Sequence, residues 1–333
     1  QVLCHDITQI IPGVTKDAVF RKGHIIREED IPVLLSVGKD SVYIWENDET
    51  MMHENDAAEV LYRMTANEHM HPSDVKEGKI EVIADTEGLL KVDREKLKKV
   101  NAFGEMMIAT RHGNTVVKKG DKLAGTRIIP LVIKKDKMQE AEKICDGTPI
   151  LKILPFTVKK AAIITTGNEV YHGRIKDAFT PVIEQKIAEF GAEMMFHEIF
   201  DDNDRKITDG CLRAIEAGAD IVFCTGGMSV DPDDKTPLAI KNTGAEMISY
   251  GSPVLPGAMF LLSYYRKGDK VIPICGLPGC AMYNRRTIFD LVLPRLMAAD
   301  PVTADELASL GEGGLCLNCK VCTFPNCGFG KGW

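Results

Sequence analysis

The stretch Lys159-Lys160-Ala161-Ala162-Ile163-Ile164-Thr165-Thr166-Gly167-Asn168-Glu169 decides the fold. Four apolar residues run without interruption and end on a threonine pair and a glycine. A continuous apolar run is the pattern of a strand buried on both faces. The same pattern returns twice. Ile221-Val222-Phe223-Cys224 runs into Thr225-Gly226-Gly227, and Val271-Ile272-Pro273-Ile274-Cys275 runs into Gly276-Leu277-Pro278-Gly279. Helical segments lie between: AFTPVIEQKIAEFG with Gly191 as its stop, a stretch from Asp204 to about Ala217, KTPLAIKNTG, and AMYNRRTIFDLVLPRLMA. AEMMFHEIF reads as a further strand. Alternating strands and helices, with glycine turns after the strands, predict an α/β domain. Its sheet is doubly wound and mostly parallel, with ligands held beyond the strands' carboxyl ends.

Upstream, the text is strand-rich. VLCHDI reads as a strand, IPGVT as a turn, HIIREEDIPVLLSVG as a helix closed by Gly38, and SVYIWE as a strand. Residues 54–70 have helical spacing. GKIEVIAD, GLLKVD and EMMIATRHGNTVVKKGDKLAGTRIIPLVI are strand-like, and the HGN tripeptide is a hairpin signal. Residues 134–148 are polar and helix-prone. The expected division is a smaller β-rich N-terminal domain over 1–150, the α/β domain over 151–305, and a cysteine-rich metal-binding tail over 306–333.

The chain of 333 residues is 44% hydrophobic and 27% charged, with net charge −7. That is the mix of a globular protein. The lysines are scattered and no basic stripe is interleaved with aromatics, so nucleic acid is not an expected partner. No apolar run is long enough to cross a bilayer. QVLCHDITQIIPG lacks the pattern of a secretory signal. Gln1 is an unusual first residue, which implies a short missing N-terminal piece. Of ten cysteines, six are dispersed and four are packed into the tail. That usage fits a reducing cytoplasm rather than a disulfide framework.

Three loops carry the chemistry. The first is 165–169, the second 225–234 (TGGMSVDPDD) and the third 276–279 (GLPG). Glycines allow close backbone approach, helix-start amides point outward, and threonine and serine hydroxyls add donors. A compact anion such as phosphate suits them. The candidate binding residues are Thr166, Gly167, Asn168, Thr225, Gly226, Gly227, Ser229, Gly276, Pro278 and Gly279. Acids stand beside them. Asp231, Asp233 and Asp234 would repel a phosphate unless a divalent cation, Mg²⁺ by its chemistry, lay between. Glu169 could join that cation or act as a base, so Glu169 and Asp234 are the candidate catalytic residues. The plainer alternative is that Asp233 or Asp234 caps the helix near Pro237. Neither G-x-G-x-x-G after the first strand nor G-x-x-x-x-G-K-[ST] occurs, against dinucleotide oxidoreductases and P-loop enzymes.

TTGNEV, then TGGMSVDPDD, then GLPG before a closing helix resembles the molybdopterin-binding domain. Molybdopterin molybdotransferase, molybdopterin adenylyltransferase and the competence-damage-inducible family share that domain. The resemblance covers about residues 155–300. PVLPGAMF before GLPGCAMY resembles the paired Pro-Gly loops of the molybdotransferase, and FRKGHIIREEDIPVLLSVGKDSVYI resembles the piece preceding them. The resemblance implies that Gly226, Gly227 and Ser229 hold the molybdopterin phosphate. It places Glu169 and Asp234 at acidic active-site positions, Thr166 and Asn168 in the family's T-G-D-E sequence, and Asp177 at an acid position of the competence-damage relatives. The chain departs from the family at Asn168 for Asp, at Cys280-Ala281 for Asn-Pro, and in lacking the N-terminal D-G-Y-A.

Three functions follow from the resemblance. One is Mg²⁺-assisted cleavage of adenylylated molybdopterin with loading of molybdate or tungstate. A second is a non-catalytic molybdopterin carrier or maturation chaperone for an apo-molybdoenzyme. A third is a nucleotide pyrophosphatase. A homodimer is also implied. Separately, Cys316-x2-Cys319-x2-Cys322-x4-Cys327 can wrap one metal centre, either Zn²⁺ or a [4Fe–4S] cluster. His53, His69 and His71 could bind a metal, but surface histidines are the simpler reading.

Overall fold

The structure, a computed structural model, describes residues 1–44, 48–229, 231–232 and 234–332. The chain forms two compact units. The first comprises residues 1–86, 92–111 and 118–153; the second comprises 87–91, 112–117 and 154–332.

The second unit contains the α/β domain. In chain order it has β1 (Lys160–Thr166), α1 (Asn168–Tyr171), α2 (Phe179–Ala188), β2 (Glu193–Phe200), α3 (Asp204–Glu216), β3 (Ile221–Thr225), α4 (Thr236–Asn242), β4 (Glu246–Tyr250), β5 (Leu261–Lys267), β6 (Lys270–Leu277), α5 (Ile288–Met297) and α6 (Ala304–Ser309). The six-stranded sheet has the order β2-β1-β3-β6-β5-β4. The first four of these strands are parallel, and β5 runs antiparallel to both β6 and β4. The doubly wound, mostly parallel expectation is borne out. The hairpin edge of β4 and β5 is an addition that the strand–helix rhythm did not signal.

Alternation along β1 shows why the sheet is buried twice. Ala161 and Ile163 face a core with α2 and α5, while Ala162 and Ile164 face a core with α3 and α4. All four are 0% exposed. Burying one such isoleucine is worth about 2 kcal/mol. The helices are entered through specific caps. Asn203 accepts the Lys206 amide at 3.1 Å to start α3. Thr287 and Asp290 form a reciprocal capping box at α5. Asp290 is buried, and Lys186 (2.5 Å) and Arg286 (2.8 Å) neutralise it. The closing helix is therefore two pieces: a 3₁₀ turn over Gly279–Met282 and α5, which begins only after Thr287.

The first unit is β-rich, as expected. An antiparallel sheet is built from Met70–Pro72, Lys79–Ala84, Lys122–Ile128 and Met106–Thr110 in that order. Helix Glu54–Thr65 buries Ala57, Ala58, Leu61 and Met64, the one-sided spacing of an amphipathic helix. Four readings change here. Arg94–Asn101 is a helix, capped by Asp93, inside the stretch read as strands. HGN is no hairpin turn: Met106–Thr110 pairs with Lys122–Ile128, and Thr115–Val117 pairs with residues 88–90. The first strand is Ile7–Ile11, paired with Thr15–Phe20 across the IPGVT turn. Of SVYIWE only Ile44 makes a bridge, to Leu3, and Trp45 and Glu46 lie outside the described residues.

Candidate functional site

Parallel register places the three loops together. Thr165 of β1 lies opposite Thr225 of β3, and Thr225 lies opposite Leu277 of β6. All three loops thus leave the carboxyl edge from one row of the sheet. The first two then touch. A Cβ on Gly226 (φ +79°) would lie 2.1 Å from the Thr166 carbonyl oxygen. A Cβ on Gly227 (φ +54°) would lie 2.8 Å from Thr236 Oγ1 and 3.2 Å from Thr166 Oγ1. Only glycine permits that approach. Thr236 fastens the junction: its hydroxyl donates to the Gly226 carbonyl at 2.9 Å and lies 3.0 Å from Thr166 Oγ1. Met228 of the second loop packs over Gly276, where a Cβ would meet its sulfur at 2.6 Å. Gly279 is exposed, with open space on its Cβ side.

The helices after the first two loops are short, α1 with four residues and α4 with seven. An anion here would be held by loop amides rather than by a long helix dipole. Asp234 does not cap α4. Lys235 is the N-cap residue of that helix and makes no side-chain cap bond. Among the described residues, five buried side-chain atoms have no hydrogen-bond partner: Asp234 Oδ2, Thr225 Oγ1 and Asp201 Oδ1 at this edge, and His5 Nδ1 and Asn67 Oδ1 in the first unit. Buried polar atoms are ordinarily satisfied, so such orphans mark places where a ligand or ion completes the shell.

Of the other named residues, Asn168, Glu169, Ser229 and Asp231 are exposed on these loops, and Pro278 is buried. The Asn168 amide donates to Asp202 Oδ2 at 3.1 Å. Asp233 lies outside the described residues. Among the described residues, no group of three or more His, Cys, Asp or Glu side chains is arranged to hold a metal ion. The described acids of the second loop therefore form no closed cation cage, and the four tail thiols are not gathered on one point. His53 and His71 serve structure, and His53, 5% exposed, is not the surface residue expected. His53 caps the helix Glu54–Thr65 by accepting the Asn55 amide, and His71 pairs with Asp85 at 2.6 Å.

Asp177 has a clear structural duty. Its Oδ1 accepts the amides of Phe179 (2.8 Å) and Thr180 (3.1 Å) at the start of α2. Its Oδ2 accepts from Thr180 Oγ1 (2.6 Å) and Thr165 Oγ1 (3.0 Å). Burial opposes its ionisation, but the Thr180, Thr165 and Phe179 hydrogen bonds outweigh that and hold it below the usual carboxylate range. His197 Nε2 lies 3.5 Å from the same oxygen.

Residue patterns missed three groups at this edge. Asp201 and Asp202 follow β2 directly, and an acidic pair after a strand in an open sheet was the available signal. Tyr250, at the end of β4, places its hydroxyl 3.3 Å from the Met228 carbonyl oxygen. Burial and the neighbouring Asp234 carboxylate raise its pKa. No local pattern points to Tyr250, because β4 reaches this edge through the antiparallel hairpin.

An open α/β domain with glycine loops and orphaned polar atoms at the carboxyl edge of its sheet has the construction in which such sheets hold ligands. Residues 162–298 match the family model described as "Probable molybdopterin binding domain". The α/β domain thus matches the family that its loop motifs indicated. Residues 1–46 match a family model described as a domain of unknown function. A competence-damage inducible protein of Bacillus cereus (strain B4264) is 30% identical over 129 residues, covering 39% of this chain and 30% of the relative. That of Bacillus subtilis (strain 168) is 32% identical over 85 residues, covering 26% of this chain and 20% of the relative. The chain thus spans less than a third of either relative. Among solved structures, the tungsten cofactor synthesizing protein MoaB of Pyrococcus furiosus is similar at 18% identity and TM-score 0.33, over 43% of this chain and 89% of its own. CinA of Thermoplasma acidophilum is similar at 17% identity and TM-score 0.34, over 42% and 98%.

Proposed function

We propose that the loops at the carboxyl edge bind molybdopterin, the pterin dithiolene of the molybdenum or tungsten cofactor, through its phosphate. The supporting observation is the pairing of two features. Gly226 and Gly227 press against Thr166, and Thr225 Oγ1 and Asp234 Oδ2 stand buried beside them without partners. A phosphate would accept from the loop amides of 226–229 and from the Thr225 hydroxyl.

In the catalytic form of this reading, the adenylylated form is cleaved at its pyrophosphate and molybdate or tungstate is then loaded. Asp234, with Asp231 on the same turn, would hold Mg²⁺. One or two carboxylates suffice for that ion when substrate phosphates supply its other ligands. Mg²⁺ there would neutralise charge developing on the leaving phosphate. Glu169, exposed on the first loop, would orient a water for attack. Tyr250, a donor with a raised pKa, would stay protonated at neutral pH beside Asp234. The domain would act as a homodimer and pass its product to an apo-molybdoenzyme. The carrier reading keeps the binding and drops the cleavage.

The test uses the whole chain with purified molybdopterin and its adenylylated form. Tight binding with AMP release that depends on molybdate and Mg²⁺ supports the enzyme. Tight binding without AMP release supports the carrier. Turnover of ADP-ribose with no molybdopterin binding rejects the proposal in favour of the pyrophosphatase.

A further inference from the structure

The four cysteines near the chain's end, Cys316, Cys319, Cys322 and Cys327, line a single cavity of about 530 Å³. Two are anchored and two are on the outside. Cys316 and Cys327 are half-buried and pack against the core shared by α2 and α5, and the Cys316 amide donates to the Leu255 carbonyl at 2.8 Å. Cys319 and Cys322 are exposed on the turn between them. The tail has no helix or strand of its own after α6 among the described residues. It is nonetheless closely fitted. The Gly330 amide donates to the Gly313 carbonyl at 2.9 Å, and Phe329 is 5% exposed.

Cations collect around this cavity. Arg285 and Lys320 line it, and Arg285 donates to the Lys320 carbonyl at 3.0 Å, which ties the turn down. Arg286 lies over the Phe324 ring, 4.8 Å from its centroid, and interacts with Cys322. Lys331 lies within electrostatic reach of Cys327. Asp290, a buried acid beside Arg286, is already neutralised by Lys186 as well as Arg286. Three apolar side chains on the same short tail, Leu315 (62%), Leu317 (78%) and Val321 (76%), are left in water. That is a poor resting state for a segment held by its own core alone.

The choice of metal follows from space and cysteine spacing. A single Zn²⁺ needs no cavity, because four sulfurs close directly on it at about 2.3 Å. A cuboidal cluster needs room for its sulfides between the irons and the thiolates. Four thiols that ligate a [4Fe–4S]²⁺ core form four Fe–S bonds and release four protons to solvent, leaving a net charge of 2−. A basic rim suits that dianion as it would a four-thiolate zinc centre of the same charge, so the room in the cavity and the C-x2-C-x2-C spacing decide for the cluster.

We infer that Cys316, Cys319, Cys322 and Cys327 hold a [4Fe–4S] cluster in this cavity, with Cys319 and Cys322 brought in by closure of the exposed 317–323 turn. The cluster is independent of what the glycine loops bind. Its pocket begins at Tyr283, just past the 3₁₀ turn that follows the third loop.

The experiment is anaerobic purification of the whole chain, followed by reconstitution with ferric iron, sulfide and dithiothreitol, the dithiol supplying the two electrons that bring four ferric irons and four sulfides to the [4Fe–4S]²⁺ level. The readouts are iron, acid-labile sulfide and zinc per chain, with electron paramagnetic resonance after dithionite reduction. The expected result is about four irons and four labile sulfides per chain. Loading should fall at least tenfold in a Cys319→Ser/Cys322→Ser variant whose circular dichroism and thermal midpoint match the wild type. Trypsin cleavage at the exposed Lys320 should slow once the cluster is loaded. One zinc without labile sulfide overturns the inference. So does no retained metal, or equal iron in the double variant.

Discussion

Two glycine-dependent regions of the second unit make an instructive pair. At the carboxyl edge, Gly226 sets backbone against backbone, and its missing Cβ would fall 2.1 Å from a carbonyl oxygen. In the tail, Gly330 sets backbone against a side chain, and its missing Cβ would fall 2.3 Å from Leu291 Cδ2. A carbonyl fixed in a sheet cannot retreat, whereas a leucine branch can change rotamer. At Gly226 the edge is therefore held to one geometry, whereas Gly330 can adjust; Gly332 shows that the tail also has a rigid point, its missing Cβ falling 2.1 Å from the Glu312 carbonyl oxygen. Preorganisation of that kind suits a site that must present amides to a ligand without moving.

The largest expected effect breaks the edge directly. Gly226→Ala should cost about 2–4 kcal/mol of stability through the carbonyl clash and the positive φ. It should also abolish measurable molybdopterin binding, checked by denaturant unfolding and by titration. Gly330→Ala, also at a positive φ (+72°) but against a movable side chain, should cost less, about 1–2 kcal/mol, and leave molybdopterin binding unchanged. Equal losses at the two glycines would erase the contrast between the regions.

Next in size is Asp177→Ala. Losing the α2 cap should cost about 1–2 kcal/mol. The pH dependence has a definite sign. The Asp177 pKa is lowered on folding from an ordinary value of 3.8. Its contribution is therefore complete above that value and is lost as pH falls through the lower folded pKa. The thermal midpoints of wild type and variant should converge on acidification and stay apart at neutral pH.

The smallest effects concern the orphaned atoms. Thr225→Val removes a buried, unpartnered hydroxyl, so stability should hold or rise by about 0.5–1 kcal/mol while molybdopterin affinity falls about tenfold. Asp234→Asn should weaken binding by a similar factor in Mg²⁺-containing buffer and leave the thermal midpoint nearly unchanged. A variant that loses stability and keeps its affinity would mark either group as structural.

Much of this architecture was legible because burial writes a period into the text. The apolar runs of β1, β3 and β6 and the spacing of α2 and α3 give the core of the sheet and its ligand edge. The hairpin of β4 and β5 was not legible. Leu261–Lys267 mixes Tyr, Ser and charges, and Glu246–Tyr250 is half-exposed, so neither carries a clean alternation. Arg94–Asn101 was hidden because it buries only Val100. Within the site, glycines and acids on one loop were visible, while partners contributed from elsewhere were not. Tyr250 reaches Met228 only through sheet topology, and the fastening by Thr236 depends on a hydroxyl that in sequence looks like an ordinary helix start.

The most direct test of the account measures molybdopterin bound per chain, by oxidation to its fluorescent pterin, after mixing with wild type and with Gly227→Ala, whose Cβ would press into Thr236. The account expects about one pterin per wild-type chain and at least tenfold less on a variant that circular dichroism shows to be folded. A folded Gly227→Ala chain that binds as much pterin as wild type, or a wild type that binds none, would contradict it.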